Sequence, residues 1–273
     1  MIRTLKIIFL VLFVICTLLF VTFFIIEKLN TDDSVPVLTV PADELTLSVN
    51  CTEEELLRGV AAYDEKDGDL TSRVIVESVS RFTEPGVSKV TYAVCDSDNH
   101  VTSRTVVLRY SDYTPPRITM SRSLCYGLND LVNVSSVINA VDVFDGSLRK
   151  EIQLASPDYQ SSTLGIFTIN VSVSNSKGDY IEYDIPLYVE AREANAPSIV
   201  LEQYLIYIRK GESVDPMQYV KSVTDAYRED ISQTLEIKSE LDSSEPGLYS
   251  IHYFAEDKLM RRTHTVLTVI VEE

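Results

Sequence analysis

The stretch EPGVSKVTYAVCD, residues 84–96, recurs as TLGIFTINVSVSN at residues 163–175 and as EPGLYSIHYFAED at residues 245–257. In each copy a glycine (Gly86, Gly165 or Gly247) is followed ten residues later by an Asp or Asn. Between these two landmarks apolar and polar residues alternate, most clearly in FTINVSV of the second copy. Such alternation predicts a β-strand with one face on a core and the other in water. The chain therefore contains three copies of a strand that begins at a glycine turn.

Further landmarks place this strand in a larger repeated unit. Apolar segments that begin with proline are 80 and 81 residues apart, starting at Pro36, Pro116 and Pro197. An aspartate lies 22 or 23 residues before each glycine, at Asp64, Asp142 and Asp225. Only TEEELLRGV and DPMQYVKSV indicate short helical or irregular turns. Short strands separated by Gly, Pro and Asp turns are typical of β-sandwiches, so the sequence predicts three tandem all-β domains, at residues 35–113, 114–193 and 194–273.

A long apolar segment precedes the repeats. Residues 7–26 contain no charge, Pro or Gly, which is enough to cross a bilayer as one helix. A cleaved signal peptide is the alternative, but its apolar region is shorter and ends at a small-residue cleavage site, which FFIIEKLN lacks. Basic residues Arg3 and Lys6 precede the segment, so we expect residues 1–6 in the cytoplasm, a bilayer-spanning helix at 7–26, a tether at 27–34 and the repeats outside the cell.

The order of motifs resembles a known family. Within each unit a Pro-initiated strand comes first, then a turn such as AYDEKDGDLT, then a PG turn followed by an alternating strand ending in Asp. This order resembles the bacterial Ig-like domains named for a pesticidal crystal protein. The resemblance covers about residues 35–273. The second copy departs most, with TLG for the PG turn. The resemblance implies tandem Ig-like β-sandwiches on a bacterial surface, where such modules serve as spacers and adhesive units.

The acidic turn AAYDEKDGDL at residues 61–70 raises the question of a metal site. An EF-hand is excluded by spacing, because Tyr63 and Val74 would occupy its first and last ligand positions. A different calcium site at Asp64, Asp67 and Asp69 stays possible. The other copies keep the first aspartate but lose the cluster, and the third places Arg228 within it. We therefore expect a structural turn in all three copies, with Asp64, Asp142 and Asp225 capping backbone N–H groups and Gly86, Gly165 and Gly247 at the following turn.

Composition and the remaining motifs exclude several functions. After residue 30 the chain has 21 basic and 40 acidic residues, which disfavours nucleic acid as a partner. The three histidines lack metal-ligand spacing and are predicted on strand faces or the surface. No catalytic motif is present, so we expect neither an enzyme nor a cofactor. Cys51 and Cys95 point to opposite faces of their strands, so we expect no disulfide between them.

Two classes of function remain after these exclusions. The first is a surface interaction protein that binds an unknown protein or surface ligand, with the third copy as the tip of a stalk. A patch of exposed tyrosines on that copy would favour it. The second is a structural component of a membrane complex, docked through its span or its stalk.

Overall fold

The structure is a computed structural model that describes residues 2–30, 34–156 and 160–273. Its first element is one helix, α1 (Ile2–Asn30). The part Lys6–Lys28 is long and apolar enough to cross a membrane, and its side chains are exposed. The predicted span at 7–26 thus lies within a continuous apolar helix, which is a signal sequence or an anchor. Met1 and residues 31–33 of the predicted tether lie outside the described residues.

The first repeat has seven strands in two sheets. They are β1 (Val37–Thr39), β2 (Glu44–Leu47), β3 (Ala61–Asp64), β4 (Gly68–Asp69), β5 (Ile75–Val79), β6 (Val87–Cys95) and β7 (Val101–Tyr110). One sheet has the order β1–β3–β4 and the other β2–β7–β6–β5. Strands β6 and β7 form a long antiparallel hairpin, and β2 runs parallel to β7. The alternating residues Val90 and Tyr92 of β6 are fully buried with Leu108 of β7.

The second repeat has the same plan. Its strands are β8 (Arg117–Met120), β9 (Cys125–Gly127), β10 (Ile138–Asp142), β11 (Gly146–Ser147), β12 (Gln153–Ala155), β13 (Gly165–Ser174) and β14 (Tyr180–Glu190). The sheets have the orders β11–β10–β8 and β12–β13–β14–β9. Strands β13 and β14 form the hairpin, and β9 runs parallel to β14. Residues 157–159, inside the predicted second domain, lie outside the described residues.

The third repeat has six strands among its described elements. They are β15 (Ser198–Leu201), β16 (Leu205–Arg209), β17 (Val220–Thr224), β18 (Glu236–Ser239), β19 (Gly247–Glu256) and β20 (Arg262–Glu272). The sheets have the orders β15–β17 and β16–β20–β19–β18. Again the two long strands, β19 and β20, are antiparallel, and β16 runs parallel to the last strand.

Short helical segments connect some of these strands. They are α2 (Glu53–Leu56), α3 (Val134–Val137) and 3-10 turns at Thr71–Arg73, Pro216–Tyr219 and Ser232–Thr234. Helix α2 begins with a capping box, in which Thr52 and Glu55 each bind the backbone N–H of the other. Asp215 caps the turn of DPMQYVKSV by accepting from the N–H of Met217. Both segments predicted to be helical or irregular therefore contain a capped helical turn.

The predicted fold class is confirmed: three sandwich-like sheet pairs follow a long apolar helix. The chain divides into two compact units, residues 1–111 and residues 112–273. The first unit holds the helix and the first repeat. The second holds the second and third repeats, which share apolar contacts described below.

Candidate functional site at the junction of the second and third repeats

The three repeated aspartates occupy equivalent turns. Oδ1 of Asp64 accepts hydrogen bonds from the backbone N–H groups of Lys66 and Asp67, at 2.9 and 3.0 Å. Asp142 does the same with N–H groups two and three residues later, and Asp225 with those two and four residues later. The hydrogen bond from the N–H of Asp67 is the main reason that the pKa of Asp64 lies below its usual range. Each carboxylate thus supplies acceptors to N–H groups that have no strand partner.

The other two aspartates of the acidic turn, Asp67 and Asp69, have separate partners. Asp67 reaches the neighbouring loop, where it accepts from the N–H and the hydroxyl of Ser97 at 2.6 and 2.8 Å. Asp69 accepts from the N–H of Thr71 at 2.9 Å, and Thr71 lowers the pKa of this carboxyl. Across residues 2–30, 34–156 and 160–273, no group of three or more His, Cys, Asp and Glu side chains is arranged to hold a metal ion. Calcium binding at Asp64, Asp67 and Asp69 stays the untested alternative to a structural turn.

The repeated glycines lie where each long hairpin begins. Gly86 has a φ of 74°, in the left-handed region that favours glycine. Gly165 and Gly247 are the first residues of β13 and β19. A Cβ on Gly247 would lie 3.4 Å from the ring of Tyr249.

The last strand of the third repeat is buried on both faces. Every residue of β20 from Thr263 to Val271 is buried. One face carries Leu267 into the core of its own repeat, while the other carries Val266 and Ile270 into apolar clusters of the second repeat. In the first repeat the residue in the position of Ile270 is Arg109, since each pairs with the residue that follows the repeated glycine. The outer face of this sheet therefore carries a charged residue in the first repeat, whereas in the third repeat it is apolar and covered by the second repeat.

We call this contact the junction. It consists of His252, His264, Val266 and Ile270 of the third repeat and Cys125, Tyr188 and Glu190 of the second.

Polar contacts join the two repeats at one edge of the junction. The hydroxyl of Tyr207 accepts a 2.7 Å hydrogen bond from the N–H of Ile118. The guanidinium of Arg117 lies 4.7 Å from the centre of the Tyr207 ring and forms a 2.7 Å ion pair with Glu272. Burial raises the pKa of Tyr207 well above its usual range. The second and third repeats are thus held together by apolar packing and by directional bonds.

Two histidines lie inside the junction. Nδ1 of His264 is 2.7 Å from Oε1 of Glu190, and its Nε2 is 2.9 Å from Nδ1 of His252. The Tyr188 ring meets both imidazoles edge-on. Burial, and then the charge of His264, lower the pKa of His252. The sequence places both histidines on a strand face, as observed, but the cover on this face was not predicted.

A polar cleft of about 360 Å³ opens beside the junction. Residues of both repeats and of the segment between them line it, including Arg122, Arg192, Asn195, Tyr204, Thr263 and His264. Guanidinium groups only donate hydrogen bonds, amide, hydroxyl and imidazole groups can donate or accept, and the Glu193 carboxylate, which also lines the cleft, accepts. The part of the cleft beside Arg122 and Arg192 is therefore suited to a ligand with acceptor oxygens.

The tyrosine patch that would mark a binding face on the third repeat is not formed by the described residues. Of the six tyrosines Tyr204, Tyr207, Tyr219, Tyr227, Tyr249 and Tyr253, only Tyr227 is largely exposed, at 80%. The others pack into the third repeat or the junction. The junction was not predicted, although THTVLTVIV carries apolar residues on both faces of its strand, which is typical of a strand buried on both sides.

No family model matches the sequence. The pesticidal crystal protein Cry22Aa of Bacillus thuringiensis is 29% identical over 124 residues, which are 44% of this chain and 16% of that protein. The chain is thus distantly homologous to a small part of Cry22Aa.

Solved structures with similar arrangements include Drosophila N-cadherin domains EC1–3. That structure is 11% identical, with a TM-score of 0.31 and coverage of 89% of this chain and 90% of the cadherin. Another is the M60 catalytic domain with CBM51-1 and CBM51-2 of Clostridium perfringens ZmpB, at 15% identity and a TM-score of 0.25. It covers 88% of this chain and 31% of the ZmpB chain.

Proposed function

We propose that this chain is a non-catalytic surface protein, anchored in the cell membrane by α1, whose β-sandwich repeats lie outside the cell and bind a protein or surface ligand. The observation that carries the proposal is the exposed apolar stretch Lys6–Lys28 directly ahead of three sandwich repeats. An apolar helix of this length is stable in a bilayer and costly to expose to water. Basic residues before the span favour a cytoplasmic N-terminus.

The cleft beside the junction is the binding site that we propose. Its donors come from two repeats and from the segment between them, so the ligand would contact a surface that neither repeat forms alone. The acidic excess of the chain would repel an anionic ligand over most of the surface. Arg122 and Arg192 supply two positive charges at the cleft against the one negative charge of Glu193, which favours a ligand with acceptor oxygens beside the arginines.

Topology is tested with an epitope tag at either end of the chain in intact protoplasts. External protease should remove a C-terminal tag and leave an N-terminal tag intact. A double variant, Leu12→Arg with Leu19→Arg, should leave the membrane fraction, because each arginine costs about 2.5–3.5 kcal/mol at a span centre. The matched control is Leu12→Ala with Leu19→Ala, which should stay in the membrane. A protected C-terminal tag, or a mature chain that begins after residue 26, would refute the anchor.

A second candidate function is a structural component of an envelope complex. The observation that favours it is a set of exposed apolar side chains on the second repeat, namely Leu131, Leu164 and Ile166, which are 96, 53 and 69% exposed. A partner protein that docks on the stalk would cover them. Docking through the span has less support, because the hydroxyls of Thr17 and Thr22 donate to carbonyls of α1 itself. Crosslinking in intact cells from a photoreactive residue at position 131, compared with one at position 192, separates the two functions.

A further inference from the structure

The histidine pair of the junction forms a continuous chain of hydrogen bonds between the two repeats. Starting in the second repeat, the Glu190 carboxylate contacts Nδ1 of His264, and Nε2 of His264 contacts Nδ1 of His252. Nε2 of His252 then lies 3.7 Å from the Glu240 carboxylate. The His264 and His252 side chains are only 6 and 12% exposed. Water therefore has little access to the nitrogens at the centre of this chain.

The positions of the protons follow from the groups at the two ends. A carboxylate accepts hydrogen bonds and does not donate them. Glu190 therefore requires a proton on Nδ1 of His264, and Glu240 favours one on Nε2 of His252. Between the rings, one proton suffices, because one nitrogen donates and the other accepts.

Three protons on four nitrogens make one imidazolium and one neutral imidazole. With two protons, both rings are neutral, and Nε2 of His252 presents a lone pair to Glu240. With four protons, both rings are cationic, and two N–H groups oppose each other across 2.9 Å. Only the singly charged pair keeps a hydrogen bond between the rings while an N–H group faces each carboxylate, and it leaves one positive charge between the two carboxylates.

The surroundings oppose a second charge. Besides Glu190 and Glu240, the charged groups near the pair are four basic and three acidic side chains, namely Arg122, Arg192, Arg262 and Lys238, and Glu193, Glu236 and Glu256. Arg192 and Arg262 line the same hollow as His264, and Lys238 pairs with His252 across the sheet. Glu256 and Glu236 are engaged by Arg262, at 3.1 and 3.9 Å.

The remaining neighbours are apolar or neutral. Phe254 stacks on His264 at 4.5 Å, and Tyr188 meets both rings edge-on. The Cys125 thiol lies 3.9 Å from Nδ1 of His264, and burial raises its pKa to about 12. None of these groups offsets a second positive charge.

We propose that His252 and His264 share a single proton charge between Glu190 and Glu240, and that a second proton releases the second repeat from the third. The junction is then a pH-sensitive contact that is closed at neutral pH and opens in acid. When the repeats separate, His264 leaves Glu190 and both imidazoles reach water, where each holds its own proton without the repulsion of the other.

The pKa of His252 sets the direction of the pH effect. Its pKa in the folded chain is below the usual 6.5, so the separated or unfolded state takes up a proton first as the pH falls. The contribution of His252 to the stability of the closed junction is therefore present above about pH 6.5 and declines below it.

Cys125 supplies a built-in probe, because it is buried within the junction. The full chain in detergent micelles, with serine at positions 16, 51 and 95 and with EDTA present, is treated with a pyridyl disulfide that reacts with thiols in acid. At each pH, the labelling rate of Cys125 in urea is divided by its labelling rate in the native chain. This protection ratio does not contain the intrinsic pH dependence of the thiol's reactivity. We expect this protection ratio to fall at least tenfold from pH 7.5 to pH 5.

Matched variants separate the pair from other titrating groups. His252→Gln should remove most of the pH dependence, since glutamine carries no charge and two imidazolium rings can then no longer oppose each other. His100→Gln, in the first repeat, should keep the full pH dependence. Equal pH dependence in His252→Gln and in the parent chain would overturn the proposal. The proposal would also be overturned if Cys125 of the parent chain, with EDTA present, were already unprotected from the reagent at pH 7.5.

A second measurement needs no substitution in the pair. In the chain labelled with ¹⁵N-histidine, His252 and His264 should together show one positive charge near pH 7 and gain the second only with loss of Cys125 protection. Two imidazoles that titrate independently, each near the ordinary pKa, would overturn the proposal.

Discussion

The hydroxyl of Tyr92 donates a 2.6 Å hydrogen bond to the carbonyl oxygen of Leu56. Tyr92 is fully buried in the central strand of the first repeat, and Leu56 ends the short helix α2. The third repeat repeats this bond, from Tyr253 to the carbonyl of Pro216 at 2.9 Å. Both tyrosines lie six residues after the repeated glycine, where the second repeat has Val171. In two repeats, therefore, one buried hydroxyl ties the hairpin to the helical turn that crosses the sandwich.

Removing this hydroxyl should destabilise the repeat without changing its fold. Tyr92→Phe leaves the ring in place but removes the donor to the Leu56 carbonyl. A buried acceptor without a partner costs about 1–3 kcal/mol, so we expect a loss of that size for the first repeat. Urea unfolding of the full chain in micelles, followed by hydrogen exchange in β6 and β7, measures it.

Tyr63→Phe is the matched control, because Tyr63 is 58% exposed in the same repeat. It should leave the urea midpoint of β6 and β7 unchanged. Equal losses in the two variants would contradict the role that we assign to the Tyr92 hydroxyl.

Truncating the junction should weaken two repeats together. Ile270→Ala removes an apolar side chain that is 3% exposed and belongs to the core cluster of the second repeat. Large-to-small changes of this kind cost about 2–5 kcal/mol. Because Ile270 lies in the third repeat but packs on the second, hydrogen-exchange protection should fall in both β13 and β19.

The control for this variant is Arg109→Ala, at the same register position of the first repeat. Arg109 forms an exposed ion pair with Glu44, and exposed pairs contribute little to stability. Normal protection of β13 in Ile270→Ala would show that the repeats unfold independently.

Calcium should not stabilise the first repeat. A ligand that binds only the folded state at a hundredfold excess over its Kd adds about 2.7 kcal/mol. Asp64, Asp67 and Asp69 have separate hydrogen-bond partners, so we expect coincident melting curves in millimolar calcium and in chelator. Asp64→Ala should lower the melting temperature in both buffers, since two N–H groups lose their acceptor. A calcium-dependent rise that is lost in Asp67→Ala would support a metal site instead.

Acid should weaken the same turn. The pKa of Asp64 is below its usual 3.8, so its contribution to stability is present above about that pH and is lost as the pH falls further. The parent chain should therefore lose stability of the first repeat below pH 4 more steeply than Asp64→Asn does. Parallel pH profiles in hydrogen exchange of β3 would argue against this role of the carboxylate.

The cysteines should behave as thiols of unequal reactivity. The four cysteines are thiols in the structure, and Cys125 is buried. At pH 8 we expect Cys51 and Cys95, which are partly exposed, to react with a charged thiol reagent before Cys125 does. Mass spectrometry of the labelled peptides under non-reducing conditions gives the order. A Cys51–Cys95 bridge in that experiment would contradict the expectation from strand parity.

The sequence predicted what depends on local regularity. The alternation of apolar and polar residues between Gly165 and Asn175, which recurs in the other two repeats, depends only on one strand and the core beneath it. Each repeated aspartate likewise depends only on its own turn. The junction depends on a contact between repeats: the apolar residues on both faces of THTVLTVIV indicate that this strand is covered, but they do not identify the repeat that covers it. His264 occupies an outward-facing position and is polar, so it reads as solvent-exposed, yet it is buried because Val266 and Ile270 on the same face bring the second repeat onto it.

The parallel pairing of an early strand with the last strand has a mechanical consequence. It occurs in every repeat, as β2 with β7, β9 with β14 and β16 with β20. When the ends of a repeat are pulled apart, the paired strands slide along each other, so their hydrogen bonds are loaded together rather than one after another. Five residue pairs share the load in the third repeat, four in the first and three in the second. Under tension the second repeat therefore has the fewest paired residues to resist the sliding of these two strands.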